Sequence, residues 1–172
     1  SALREAGVPA VVSQAGSVRE SDAAFELSAV LASVASPRDA GALRTALATR
    51  MFGYGAAVLA ALGADDKAWQ AIVDVFDDLR KTWWEHGFVA MAEKMLLVAD
   101  ARVRLLASTS GPRRLTNLLH LVELTEKAVA EHHLTPDGVV TWLDRVRADP
   151  KLLPEDTAEI RLESDAAAVQ IT

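Results

Sequence analysis

No cysteine occurs among the 172 residues, so disulfides, thiolate metal sites, cysteine nucleophiles and thiol redox chemistry are excluded together. Nor does any run of eighteen apolar residues pass without a charge, and the first residues, Ser1 to Glu5, carry an acid and no apolar stretch. Neither a membrane span nor a signal peptide is therefore expected, and a cytoplasmic location without membrane contact fits. No lysine directly follows a glycine, so the G-x-x-x-x-G-K-[ST] loop that cradles nucleotide phosphates is missing and the chain is not expected to hydrolyse ATP alone. The serines lack a G-x-S-x-G elbow, which leaves nucleophilic catalysis without support. Basic residues are outnumbered, 18 against 24 acids, and the net charge of −6 argues against a surface that wraps a polyanion.

What is present is a chain long enough for one sizeable core, with 51% apolar residues and no long Pro/Gly/Ser tract, hence folded rather than disordered. Gly7 precedes a β-branched run, Val8 to Ser13, that reads as a strand fed by the last turns of a helix over Ser1 to Ala6. Ser17-Val18-Arg19-Glu20 has capping-box spacing, and Ala23, Leu27, Val30, Leu31 and Val34 predict a helix from about Ser21 to Ser33. Ser36 as N-cap, Pro37 at the first helical position and Asp39 near the positive dipole end predict the next helix, reaching Thr49. A break at Gly53 and Gly55 is followed by a short helix over Ala56 to Leu62, capped by Gly63.

Three longer amphipathic helices then follow. Trp69, Ile72, Phe76, Leu79 and Trp83 form the stripe of the first, which Gly87 stops; Phe88, Met91, Met95, Ala99 and Val103 form that of the second. Past a break at Ser108 to Pro112, the third carries Leu115, Leu118, Val122, Thr125 and Val129. Thr135-Pro136 opens a last helix with Val139, Leu143 and Val146. Antiparallel helices with short connections make a bundle. Pro150 and Pro154 end the helical register, and Ala167 to Thr172 alternates like a strand. Strand-like ends around helices suggest an insertion into a sheet, and the two strands should then lie on the same side of the molecule.

Charge is lopsided. Ala101 to Val122 holds Arg102, Arg104, Arg113 and Arg114 with no acid, whereas Asp65 to Asp78 holds five aspartates and one lysine. The arginine run reads either as a solvated helix end and loop or as a contact to phosphates or an acidic partner. His120 and Glu123 stand one helical turn apart, but the order is reversed from Glu-x-x-His and no further ligands are identifiable, so no metal site is expected. His132-His133 and His86 read as complements to helix C-termini. Trp69, Trp83 and Trp142 fall on apolar stripes and belong to the core; Trp84 adjoins Trp83, so both cannot face the same core, and one is a candidate interface residue.

Four blocks, ALREAGVPAVV (Ala2 to Val12), LRTALATRMFG (Leu43 to Gly53), RRLTNLLHL (Arg113 to Leu121) and RLESD (Arg161 to Asp165) before VQIT (Val169 to Thr172), in this order and spacing resemble the beta subunit of exodeoxyribonuclease V, the RecB family. The stretch from Ala56 to Ser110 adds nothing to the likeness. The resemblance implies a segment of a UvrD-like superfamily 1 DNA helicase fused to a nuclease, acting in double-strand break repair and recombination. It further implies a mainly α fold, a helical bundle of the 2B insertion type with short flanking β-strands from a RecA-like 2A domain. Residues 1–50 would be part of domain 2A, 51–160 the helical insertion and 161–172 the return strand. ATP and Mg would bind elsewhere in the parent, as would the nuclease carboxylates, and no cofactor is expected in these residues. DNA would be met through the parent, alongside the gamma and alpha subunits of exodeoxyribonuclease V or an equivalent complex. Arg19 stands where the family usually has an aromatic residue, which leaves any stacking role there in doubt. Arg102, Arg104, Arg113 and Arg114 are the candidate contacts to DNA or a partner subunit, since arginine forks suit either anion. The alternative is a freestanding helical interaction module that docks through Trp84 and the acidic face between Asp65 and Glu85.

Overall fold

The computed structural model describes residues 22–148, which form seven helices and, among the described residues, no strand. They are α1 (Asp22–Ala35), α2 (Ala40–Ala48), α3 (Ala56–Gly63), α4 (Asp66–Val98), α5 (Ala101–Leu106), α6 (Gly111–His132) and α7 (Pro136–Ala148). The expected mainly α architecture is what they build. The strands at Val8 to Ser13 and Ala167 to Thr172, their placement on one side, the turns over Ser1 to Ala6 and the capping box from Ser17 to Glu20 lie outside the described residues.

The stripe Leu27, Val30, Leu31 and Val34 is completely buried, because α1 is surrounded: it packs against α2, α4, α6 and α7. Its two buried hydroxyls are satisfied, Ser33 Oγ donating to the Ala29 carbonyl at 3.0 Å and Ser28 Oγ to Asp144 of α7 at 3.3 Å. Phe76, Leu79, Met91 and Met95 of α4 and Leu43 and Leu47 of α2 complete one core that runs across residue 50. Trp83 meets Phe88 edge-on at 5.4 Å, while Trp69 is half-buried beneath the Arg44 guanidinium, 4.9 Å from its ring.

Three local readings change. The second helix starts later than its Ser-Pro signal suggests: Asp39 is the N-cap, its Oδ1 accepting from Gly41 N at 2.8 Å and Ala42 N at 3.0 Å. Ser36 instead accepts from Asp39 N, so Pro37 serves a turn that leaves α1. Gly63 is the last residue of α3, and Ala64 follows as C-cap. The Phe88 stripe also stops early. Asp100 takes a left-handed conformation (φ 49°), which turns the chain between α4 and α5 and leaves Val103 outside, 64% exposed. Gly87, by contrast, breaks α4 as expected, at φ 88° and ψ 175°, backbone that only glycine adopts readily.

Candidate functional site

The connection from α5 to α6 positions the arginines. Gly111 is buried against α5, where a Cβ would stand 2.8 Å from Leu106 Cα and closer still to the Leu105 carbonyl oxygen, so only glycine lets the two helices approach this closely. Arg113 and Arg114 therefore emerge from the first turn of α6 directly over the end of α5. Arg114 Nε donates to Ser110 Oγ at 2.8 Å. No acid occupies this first turn, so both cations sit at the end of the helix where the macrodipole already favours negative charge. Helix α4 shows the usual arrangement, with Asp65 as N-cap and Asp66 in the first turn.

Opposite this turn, α1 and the loop between α2 and α3 line a half-open cavity of about 210 Å³. Its floor is apolar, from Met51, Leu105 and Leu118. Arg113, Arg114 and Asn117 stand along α6, and Ala23 and Glu26 along α1. Glu26 is held by Arg50, whose Nη1 donates to Oε1 at 3.0 Å. Burial nevertheless pushes the Glu26 carboxyl above the usual carboxylate range, against the opposing pull of Arg50 and, more weakly, Arg114. Met51 is placed by its loop, in which Gly53 N donates to Thr49 O at 2.7 Å, Tyr54 N donates to Leu47 O at 2.9 Å and Phe52 stacks on Phe76 at 5.4 Å.

The four candidate arginines do not form a single patch. Arg113 and Arg114 share the cavity just described. Arg104 lies along the chain's own backbone, its Nε donating to Ala99 O at 3.1 Å and its guanidinium lying against Gly53, 3.0 Å from where a Cβ would be. Arg102 borders a different depression with Glu93, Asp100, Leu97 and Val103. Glu26 and Met51 are site residues that the sequence reading passed over. For Glu26 a signal existed, since it lies four residues before the buried Val30, on the edge of the α1 stripe, where a carboxylate is out of place.

The other polar candidates are dispersed. His120 Nδ1 is buried without a hydrogen-bond partner among the described residues, 3.8 Å from Glu123 Oε2. His133 is the left-handed C-cap of α6 and His132 its last residue. Among the described residues, no three side chains of metal-ligating type converge. Trp83 is buried and Trp84 is 59% exposed, which resolves the pair as their adjacency requires. No described helix is long and apolar enough to cross a membrane.

No family model matches the chain. Individual proteins do. The chain is 34% identical over 165 residues, 95% of its length, to the RecBCD enzyme subunit RecB of Escherichia coli (strain K12). It is 31% identical over 171 residues to RecB of Haemophilus influenzae (98% of the chain) and 34% identical over 174 residues to RecB of Mycobacterium tuberculosis (99% of the chain). It spans 14 to 15% of the length of these curated relatives.

Proposed function

We propose, from the premise that the chain is a RecB-type segment, that it is a non-catalytic helical support of a DNA helicase-nuclease subunit, and that Arg113 and Arg114 are its contact to an anionic partner. The parent, on this reading, is an ATP-dependent helicase and exonuclease of double-strand break processing. Residues 161–172 belong to its RecA-like domain 2A and the helices to the 2B-type insertion, in which we include α1 and α2, expected from the sequence to lie in domain 2A, because they share one core with α4, α6 and α7. ATP and Mg do not fit the residues at hand. Gly53 is covered by the Arg104 guanidinium, and Gly55 is followed by alanine rather than lysine, so the pair lacks the chemistry of a phosphate loop.

The observation that carries the contact is the meeting of Arg113 and Arg114 at one cavity, on a helix start without a compensating acid. DNA phosphates and a sister subunit of the gamma or alpha type are the two anions available to such a parent. Charge reversal at both positions in the intact parent tests the assignment. If phosphates are met, DNA affinity falls and the slope of log K against log salt flattens by about one per lost contact, while subunit assembly survives. If a subunit is met, assembly fails and the slope of the free parent is unchanged. A parent that assembles and binds DNA as before refutes the contact. A second reading, docking through Trp84, has its exposure in its favour, and Trp84→Ala in the same assembly assay tests it.

A further inference from the structure

Helices α4 and α5 meet at a corner that turns apolar side chains outward. Val89, Glu93 and Leu97 follow one another at steps of four and therefore share one face of α4. Leu97 and Val103 line one depression with Glu93, Leu96, Asp100 and Arg102, and Leu106 stands one turn beyond Val103 on α5. Leu97 is 80% exposed, Val103 64%, Leu106 51% and Val89 41%, whereas Leu96 beside them is buried. Scattered apolar side chains on a surface need no explanation, but these are gathered at one corner.

The amount of surface selects the partner. A fully exposed Val or Leu presents roughly 100 Å² of apolar area, so the four side chains offer on the order of 250 Å². With a polar rim in the usual proportion this makes about 400 Å² per side, half of the roughly 800 Å² that each partner of a stable free-standing complex buries. It falls within the roughly 300–750 Å² per side of contacts between domains of one polypeptide, where tethering raises the effective concentration to about the millimolar range and a small contact suffices. Nucleic acid is a poor occupant, since the rim sets Glu93 and Asp100 against the single Arg102. The chain spans 14 to 15% of the length of its RecB relatives, so a full-length subunit of that kind has most of its surface outside these residues. We infer that the corner of α4 and α5 is a domain contact, in which Leu97 and Val103, flanked by Val89 and Leu106, pack against an apolar surface of the same polypeptide beyond residues 1–172. The inference rests on the reading of the chain as a segment of a longer RecB-type subunit and is independent of Arg113 and Arg114.

The test is thiol accessibility, for which the absence of cysteine from these residues leaves a clean background. Leu97→Cys and Val58→Cys, the latter at an exposed position of α3, are introduced singly into the full-length subunit purified without sister subunits, and the rate of N-ethylmaleimide incorporation at each site is followed by peptide mass spectrometry. Both substitutions sit on the surface of the helices and should leave the fold intact. In the full-length subunit Leu97→Cys should react about tenfold more slowly than Val58→Cys, or slower still, as a closed contact requires. In the 172-residue chain the two should react alike, with Met95→Cys, at a completely buried position, as the unreactive reference that shows the chain folded. The comparison within the full-length subunit decides even if the chain does not fold alone. Equal rates there overturn the inference. So does protection that appears only when sister subunits are added, which assigns the corner to them; protection that fades on dilution, which assigns it to a second copy; or protection already present in the folded 172-residue chain, which assigns it to a contact within that chain. Equal rates alongside a subunit disabled by charge reversal at Arg113 and Arg114 remove this inference alone, and protection at position 97 alongside an indifferent charge reversal removes the arginine contact alone.

Discussion

Arg113 and Arg114 are neighbours on one turn, yet their reversal should move stability in opposite directions. Arg113 is the third helical residue of α6, counted from Gly111, three after the N-cap Ser110, and no acid stands in that turn. A carboxylate there is worth about 0.3–1 kcal/mol through the macrodipole, and a cation costs a similar amount, so Arg113→Glu should stabilise by roughly 0.6–2 kcal/mol at low salt. The change also completes the Ser-x-x-Glu spacing of a capping box. With an unfolding entropy of about 2.1 cal/mol/K per residue and a folded unit of roughly 130 residues, the melting temperature should rise by about 2–7 °C. Arg114→Glu differs, because Arg114 is one of the cations that offset the desolvation of Glu26. A glutamate at 114 would add a second carboxylate to the same cavity, and the melting temperature should fall.

Thermal melts monitored at the helical circular dichroism band, at about 10 mM and 1 M salt, decide the matter. At 1 M the screening length is about 3 Å and the Arg113→Glu gain should largely vanish. A drop in melting temperature for Arg113→Glu at low salt, a gain that persists undiminished in 1 M salt, or identical behaviour of the two variants would refute the electrostatic account of this helix start.

Other perturbations have expected outcomes of their own. Phe76→Ala removes a completely buried ring stacked on Phe52 and should cost about 3–5 kcal/mol by urea denaturation; a loss below 1 kcal/mol contradicts the packing described. Gly111→Ala forces a methyl into the backbone of Leu105 and Leu106 and should cost at least about 1–3 kcal/mol, with Arg113 displaced from the cavity rim; an unchanged urea midpoint shows that α5 and α6 do not approach so closely. Because burial holds Glu26 above its ordinary 4.5, the stability this group contributes is complete below that value and is lost as pH rises through the folded pKa. Wild type should therefore lose stability relative to Glu26→Gln as pH rises above about 4.5, and a pH-independent difference in paired melts contradicts the shift.

Helix existence was legible because burial imposes a period of three to four residues on Leu27 to Val34, Trp69 to Trp83 and Leu115 to Val129, and because Gly87 and Thr135-Pro136 punctuate the chain in ways few other residues can. Helix starts were less so. Ser36 and Asp39 both have N-cap chemistry, and the choice fell to Asp39 only because its carboxylate reaches two amides while Pro37 bends the chain away from α1. The corner at Asp100 left no glycine or proline to announce it, and Val103 continued the apolar spacing of Phe88, Met91 and Met95 on paper, though not in space. The cavity was least visible of all. It joins residues 23 and 26 to 51, 105 and 118, and no local pattern reports a meeting of four separate segments.

The fate of the arginine run shows why charge along a chain is a poor map of charge on a surface. Arg102 and Arg104 are two residues apart on a helix, a spacing that points side chains to different faces. Arg104 accordingly turns to the Ala99 carbonyl and Gly53 and is consumed in holding the loop that supplies Met51. Arg102 faces the side of Glu93 and Asp100, where acids are already at hand. Arg113 and Arg114 are separated from both by the turn at 107–110, and Gly111 swings them back over α5 toward α1. Of that pair, Arg114 is bonded to Ser110 and coupled to Glu26, and Arg113 alone meets solvent with its fork unused among the described residues. A guanidinium without a partner among the described residues, at a helix end that repels it, costs stability at this helix start, and a negative group arriving from outside would relieve that cost.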